Sequence, residues 1–385
     1  MSIQAREADT ARSPRTPAPA PEAPAIEARD LVKTYPKGIQ ALDRLSFAVE
    51  AGTVFGLLGP NGAGKSTTVK ILTTLARADS GTASVAGLDV HTQPARVRHA
   101  IGVVAQHSGA DPMATGRENL LLSGRIQGLR GQELGRRADD LLSRFDLSGA
   151  AGRVVRTYSG GMQRRLDVAM GLIHQPEVLF LDEPTAGLDP EARSTMWDEI
   201  ARLSAGEGLT ILLTTHHLEE ADRLASRLAI IDRGRVVTEG TPDELKGQLR
   251  GDTVQVDLAA PGDAGQVNAA LGQVPAVREI QVDGHRVSAR ADDGATAVPA
   301  VLAALERAGI GVHGVTAARP TLDDVYLRHA GRRLADAEQP GAGQPVTGQP
   351  VTGQPGPGQP AAAQPTATQP TATGQPGHTP AGGSR

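Results

Sequence analysis

Residues 59–67 read GPNGAGKST and constrain the fold of this chain more than any other stretch. Gly59, Gly64, Lys65 and Ser66 meet the spacing G-x-x-x-x-G-K-[ST], which works only between a strand and a helix. Residues 53–58 (TVFGLL) are short, mostly apolar and bounded by Gly52 and Gly59, so a buried strand is expected there. A helix is expected from Thr67 to Leu75. In that context the loop's backbone N–H groups and the helix N-terminus attract phosphate oxygens. Lys65 is then expected to reach the β- and γ-phosphates, and the Ser66 hydroxyl to ligate Mg²⁺. An ordinary glycine-rich turn that happens to hold a lysine would not need both flanking elements.

A second stretch, EVLFLDEPTAGLD at 177–189, supplies chemistry that fits the first. Its apolar run, 178–181, reads as a buried strand ending in Asp182 and Glu183. A carboxylate at such a strand end holds Mg²⁺ through water in phosphate-loop enzymes, which points to Asp182. Glu183, its neighbour, is placed to polarise an attacking water as general base. Asp189 has a local reading as the N-cap of a helix over 190–204, with Pro190 as its first residue.

Between these stretches lies TYSGGMQRRLDVAMGLI, 157–173. Ser159 reads as a helix N-cap; together with Gly160 and Gly161 it also reads as a second phosphate site at a helix N-terminus. Gln106 follows a strand at 100–105 and is placed to face a ligand, although most glutamines there are loop residues. Tyr35 ends a strand at 28–35 and is either a buried strand tyrosine or a platform for a nucleotide base. LTILLTT at 209–215 is a buried strand, and His216, at its end, is preferred to the adjacent His217 as the group reaching a γ-phosphate.

Around these motifs the chain divides by pattern. Residues 1–25 are rich in Pro, Ala and charge and are expected to form a disordered leader. A helical segment, about 107–176, interrupts the strands of one α/β core and opens with a capping box at Thr115 and Glu118. Arg233-Gly234 reads as a hairpin turn and Thr241–Glu244 as a further capping box. Residues 251–332 read as a small α+β unit, with strands near 253–258, 279–283 and 286–290 and helices near 265–272 and 295–308. Beyond it, 333–385 is a Gly/Gln/Pro-rich repeat too poor in apolar residues to offset ordering entropy.

Five motifs in this order and spacing resemble the ATP-binding subunit of ABC transporters, over roughly residues 26–250. The resemblance implies an α/β phosphate-loop ATPase core with an inserted helical subdomain, joined here to the small C-terminal α+β domain and disordered tails. It matches Gly59, Pro60, Asn61, Gly62, Ala63, Gly64, Lys65, Ser66 and Thr67 to the Walker A loop. Tyr35 matches the aromatic that stacks on adenine, and Gln106 the glutamine that contacts Mg²⁺ and senses the membrane subunit. Residues 158–162 (YSGGM) match the signature loop, with Met162 where a glutamine is usual. Asp182 matches the Walker B aspartate, Glu183 the catalytic base, Asp189 the loop coupling two sites, and His216 the switch histidine. In that family two such domains pack head to tail, so Ser159, Gly160 and Gly161 close over the ATP held by the other copy's Lys65.

YSGGMQRRLDVA, THHLEEAD and TLDDVYL further resemble the daunorubicin/doxorubicin-resistance type of exporter ATPase. That implies ATP and Mg²⁺ as cofactors, a homodimer, and a separate integral membrane permease. It also implies a place on the cytoplasmic face of the cell membrane and efflux of hydrophobic compounds. The C-terminal unit is expected to serve dimer stability and assembly with the membrane subunit. Import, or export of lipid or polysaccharide, is the alternative within the same class. A soluble relative acting on ribosomes or DNA is disfavoured. The net charge is −4 and aromatics are 2% of residues, which leaves few platforms for bases, and no nucleic-acid partner is expected. No cysteine is present, so disulfides and thiolate metal sites are excluded. No stretch reaches the roughly 18 uninterrupted apolar residues of a membrane span, and a soluble, intracellular chain is expected.

Overall fold

The computed structural model describes residues 23–249, 251–332 and 334. The leader expected over 1–25 and the tail expected over 333–385 lie outside the described residues, apart from 23–25 and Leu334.

The described residues open with a hairpin, β1 (Ile26–Tyr35) and β2 (Ile39–Val49), turning at Pro36–Gly38. Strand β3 (Val54–Leu58) leads into the glycine loop, and helix α1 (Lys65–Leu72) leaves it. The helix begins two residues before the expected Thr67 and ends three before Leu75. Gly64, at φ 112°, acts as its N-cap, which frees Lys65 and Ser66 to be helical. At the other end Thr74 turns to φ 64° and breaks the helical run. Strands β4 (Ser80–Val85) and β5 (Leu88–Asp89) complete an antiparallel sheet in the order β2-β1-β4-β5.

Helix α2 (Pro94–Ala100) feeds β6 (Ile101–Val104). Three helices then run consecutively: α3 (Gly116–Ile126), α4 (Gly131–Arg144) and α5 (Gly160–Leu172). The capping box at Thr115 and Glu118 opens α3 as the sequence anticipates. Strand β7 (Val178–Asp182), helix α6 (Pro190–Glu207), strand β8 (Thr210–Thr215) and helix α7 (Leu218–Leu224) follow. The hairpin β9 (Arg227–Asp232) and β10 (Arg235–Gly240) turns at Arg233-Gly234, and Thr241 caps helix α8 (Pro242–Gly247).

The central sheet runs β10-β9-β3-β8-β7-β6, parallel except for the edge strand β10. Its inner strands are buried on both faces, which is why they read as continuous apolar runs. Residues 178–181 are all fully buried; such side chains are each worth about 1.5–3 kcal/mol in apolar burial. One core cluster lies between this sheet and the antiparallel one, where the Phe47 and Phe55 rings stack with centroids 5.4 Å apart. The other joins α3, α4, α5 and α6 to β6, β7 and β8.

The C-terminal sheet is antiparallel, in the order β12-β13-β11-β14, from β11 (Asp252–Leu258), β12 (Val277–Asp283), β13 (Arg286–Ala291) and β14 (Val312–Ala318). Helices α9 (Ala264–Leu271) and α10 (Gly294–Arg307) cover one face of it. Two elements here are absent from the sequence reading: β14 and the helix α11 (Leu322–Ala330). Strand β14 is an edge strand without clean alternation of buried and exposed side chains. Helix α11 buries Leu322, Val325 and Tyr326 against Leu58 of β3, Leu228 and Ile230 of β9 and Leu245 of α8, together with Leu334.

Candidate active site

Four adjacent parallel strands deliver the sequence-predicted residues to one end of the sheet. The glycine loop follows β3, His216 follows β8, Glu183 follows Asp182 at the end of β7, and Gln106 comes two residues after β6. The register keeps these ends level: Leu58 faces Thr215, Thr214 faces Asp182, and Leu181 faces Val104. In open α/β sheets ligands bind beyond these carboxyl ends.

The loop is shaped by contacts that exclude side chains. A Cβ on Gly59 would sit 2.3 Å from Ile231 O, and one on Gly64 would sit 2.7 Å from Ala41 O. Gly62, at φ 80°, has open space where its Cβ would be, so the outer side of the loop is accessible to a ligand. Lys65 is 4% exposed; its Nζ donates to Gly59 O (2.6 Å) and Pro60 O (3.2 Å) and lies 3.6 Å from Glu183 Oε1. A buried ammonium folded over a glycine-rich loop suits phosphate.

Ser66, at the start of α1, places its Oγ 3.4 Å from Asp182 Oδ1, which also accepts from the Thr214 hydroxyl. Two hard oxygen groups side by side suit Mg²⁺, which is usually held by one or two carboxylates plus phosphates and water. Among the described residues no cluster of three or more His, Asp or Glu could hold a metal by itself. The donor set therefore fits a cation shared with a bound phosphate.

Glu183 sits at φ 49°, a conformation that costs a non-glycine residue about 1–3 kcal/mol. Its N–H donates to Thr214 O (3.1 Å) and lies 3.2 Å from Thr214 Oγ1, which holds the strained residue in place. Its carboxylate gathers three of the other predicted groups. His216 Nδ1 lies 3.2 Å from Oε1, Lys65 lies beyond it, and Gln106 Nε2 donates to Oε2 at 3.1 Å. The His216 hydrogen bond holds the Glu183 carboxyl below the usual glutamate range against the opposing effect of burial, with Lys65 helping. His217 takes no part in this contact. Its N–H donates to Thr215 Oγ1, and burial pushes its ring below the ordinary histidine value.

The remaining predicted residues lie elsewhere. Tyr35 is half-buried and pairs across the hairpin with Ile39, which is 61% exposed, so it is not an interior strand tyrosine. Ser159 caps α5, with Met162 N–H donating to its Oγ at 3.3 Å. Gly160 and Gly161 pack beside Leu188 and Ala192. Asp189 caps α6 through Ala192 N–H at 2.9 Å and is exposed.

Several polar residues that organise the site are missed by motif reading. Arg164, buried on α5, donates to Ala105 O (2.6 Å), Pro184 O (2.7 Å), Asp182 O (3.1 Å) and Glu183 O (3.2 Å). Burial lowers its pKa, and Asp167, Asp182 and Glu220 oppose that. Fully buried Glu220 accepts from Thr185 Oγ1 and Trp197 Nε1, tying the segment after Glu183 to α6 and α7. Nothing local in the sequence marks Arg164, the fifth residue of α5, because its carbonyl partners are set by the strand order. A separate cavity of about 810 Å³, lined by Arg137, Glu177, Val178 and Thr210 among others, opens at the opposite ends of the strands.

Fold and site together define a phosphate-loop nucleoside triphosphatase. Residues 42–186 match the family described as ABC transporter, and 240–330 match the C-terminal domain of DrrA1-3-like ATP-binding proteins. The chain is 48% identical to the daunorubicin resistance ATP-binding protein DrrA3 of Streptomyces coeruleorubidus, over 77% of this chain and 94% of that one. It is 44% identical to the daunorubicin/doxorubicin resistance ATP-binding protein DrrA of Streptomyces peucetius, over 81% and 94%. A solved dimeric ATP-binding cassette in a post-hydrolysis state, bound to ADP and Pi, superposes with TM-score 0.52 at 25% identity, covering 56% of this chain and 98% of that one. The chain belongs to the ABC transporter ATP-binding proteins, with a C-terminal domain of the DrrA type. Proteins of this class hydrolyse ATP. Among the described residues no helix is long and apolar enough to cross a membrane.

Proposed function

We propose that this chain is the ATP-hydrolysing subunit of an exporter of hydrophobic drugs or antibiotics, acting as a head-to-tail homodimer on a separate membrane permease. The observation that carries the reading is the delivery of Lys65, His216, Glu183 and Gln106 by four adjacent strands to one end of the sheet. The resistance proteins to which it is similar along most of their length support the export role, and the dimeric cassette supports the pairing.

In this mechanism Tyr35 stacks on adenine and the loop Gly59–Thr67 wraps the phosphates. Lys65 donates to β- and γ-phosphate oxygens in place of Gly59 O and Pro60 O. Ser66, Asp182 and Gln106 hold Mg²⁺, which supplies positive charge at the phosphates when bound. Glu183 takes a proton from a water as that water attacks the γ-phosphorus, and ADP departs. His216 steadies the Glu183 carboxylate and donates to the γ-phosphate. Ser159, Gly160 and Gly161 of the second copy close the site, and Asp189 couples the two sites.

The chain divides, on this reading, into the ATPase domain 26–250 with its helical subdomain at 107–176 and an accessory domain at 251–332. The accessory domain serves dimer stability and assembly with the permease, and the whole sits peripherally on the cytoplasmic face of the membrane. The test is co-purification from membranes with a polytopic protein encoded beside this chain. It is combined with ATP-dependent dimerisation of the Glu183→Gln variant. A chain that instead partitions with ribosomes or DNA overturns the reading.

A further inference from the structure

Two side chains one turn apart on α5, Arg164 and Asp167, face the segment that follows β6. Residues at i and i+3 share a helix face, so both act on the same stretch. Arg164 holds Ala105 O at 2.6 Å. Asp167 Oδ1 accepts from Ser108 Oγ at 2.8 Å and from Gly109 N–H at 3.1 Å. Gln106 sits between these two anchors, and its Nε2 reaches Glu183 Oε2 at 3.1 Å.

The asymmetry of burial is informative. Asp167 is 7% exposed, whereas Gln106, Ser108 and Gly109 are exposed. A buried carboxylate is costly unless hydrogen-bonded, and burial does push the Asp167 carboxyl up from its ordinary value. The helix therefore bears the cost of an interior carboxylate whose bonds run to a surface segment. An apolar residue in its place would pack α5 at no such cost, but would leave the segment without that anchor.

We propose that Asp167 is a positioning residue for hydrolysis: it tethers Ser108 and Gly109 to α5 and so fixes the reach of Gln106 to Glu183. The inference rests on Glu183 acting as the base. Ser159 caps the N-terminus of the same helix, so the tether joins the helix behind Ser159 to the segment that carries Gln106.

A double-mutant cycle on the full-length chain tests this, reading steady-state MgATP hydrolysis. Asp167→Ala lowers kcat about tenfold and leaves KM for ATP within about twofold, because a misplaced catalytic group costs rate and not ground-state binding. The Gln106→Ala/Asp167→Ala double variant is no slower than Gln106→Ala by more than about twofold, since residues acting through one another are not additive. Ser108→Ala, at an exposed position, shows a smaller loss of the same kind and replaces Asp167→Ala in the cycle if that variant does not fold. Hydrogen exchange at the Gly109 amide is faster in Asp167→Ala, which reads the tether without activity. Losses that multiply in the double variant, unchanged Gly109 exchange, or wild-type kcat in Gln106→Ala overturn the proposal. Failure of the base reading shows separately, as retained turnover in Glu183→Gln.

Discussion

His216 and Glu183 meet across the ends of neighbouring strands, with Nδ1 of the histidine 3.2 Å from Oε1 of the glutamate. The contact depends on two backbone facts. Strand β8 lies between β3 and β7, so whatever follows it arrives between the glycine loop and the acidic pair. Glu183 also takes φ 49°, which turns its side chain away from the strand's alternation and into the cluster. The histidine thus holds the Glu183 carboxyl below the usual glutamate range at the end of β7.

Glu183→Gln keeps the size and shape of the side chain while removing its charge and one of its two acceptor oxygens. Turnover falls by about 10²–10⁴-fold, the range for loss of a general base, and ATP binding and ATP-dependent dimerisation persist. Phosphate release and equilibrium nucleotide binding, measured side by side, check this. Hydrolysis at the wild-type rate removes the base from this residue.

Acid should act on the same carboxylate in a definite direction. Its pKa in the folded chain is depressed, chiefly by the His216 hydrogen bond. Its stabilising contribution is therefore complete above the unfolded value of about 4.3 and is lost as pH falls through the lowered folded value. The stability advantage of the wild type over Glu183→Gln shrinks on acidification below about pH 4.3. Urea unfolding at a series of pH values measures it, and an advantage that grows toward acid contradicts the sign.

Gly64→Ala separates backbone geometry from chemistry. At φ 112° an added methyl would also meet Ala41 O at 2.7 Å and Leu42 Cδ2 at 2.8 Å. The loop must shift, at a cost of about 2–3 kcal/mol, and nucleotide binding is lost. Gly62→Ala has open space and bears only the left-handed penalty of about 1–2 kcal/mol. Thermal melts and nucleotide binding on the two variants order them, and equal effects refute the steric account.

The motifs were legible because their requirements are local. Glycines at fixed spacing state a backbone shape, and Asp182 and Glu183 close an apolar strand, so both stretches announce themselves without the fold. Arg164, Asp167 and Thr214 were not legible, because their partners depend on strand order. The chain visits β3, β6, β7 and β8 in sequence, yet the sheet places β8 between β3 and β7. His216 was preferred to His217 from its place at the strand end, and only the strand order shows why that position meets Glu183. Helix α11 was missed for the same reason: its apolar face is complementary to Leu58 and Ile230, far away in the chain.

Arg164 offers a test of how the end of β7 is held. Arg164→Met leaves four carbonyls without their charged donor and lowers stability by about 3 kcal/mol, since bonds to charged groups contribute about 1.5–3 kcal/mol each and some carbonyls find water. Arg164→Lys does not restore it, because an ammonium lacks the planar fork that spans Ala105 O and Pro184 O together. Denaturant midpoints for both variants decide, and full rescue by lysine shows that charge alone suffices.

The C-terminal helix gives the last prediction and changes how its unit can be studied. The Tyr326 hydroxyl donates to Asp232 Oδ1 at 3.2 Å, beside Arg332 on the same oxygen at 2.9 Å. Burial, with the Asp232 charge adding to it, pushes the phenol up to about 12, so the bond persists across the working pH range. Tyr326→Phe removes only that bond and costs about 1 kcal/mol; Tyr326→Ala also opens a cavity against Leu58 and Leu228 and costs about 3–5 kcal/mol. Ending the chain near residue 250 strips Leu322, Val325 and Tyr326 from that cluster, so the truncated ATPase unit loses stability and exposes an apolar face. Loss of export by such a truncation would then report on folding before it reported on assembly. Tyr326→Phe, which keeps the ring and changes one bond, is the variant that separates the two. A truncated chain that melts at the wild-type temperature would show that α11 contributes nothing to the first unit.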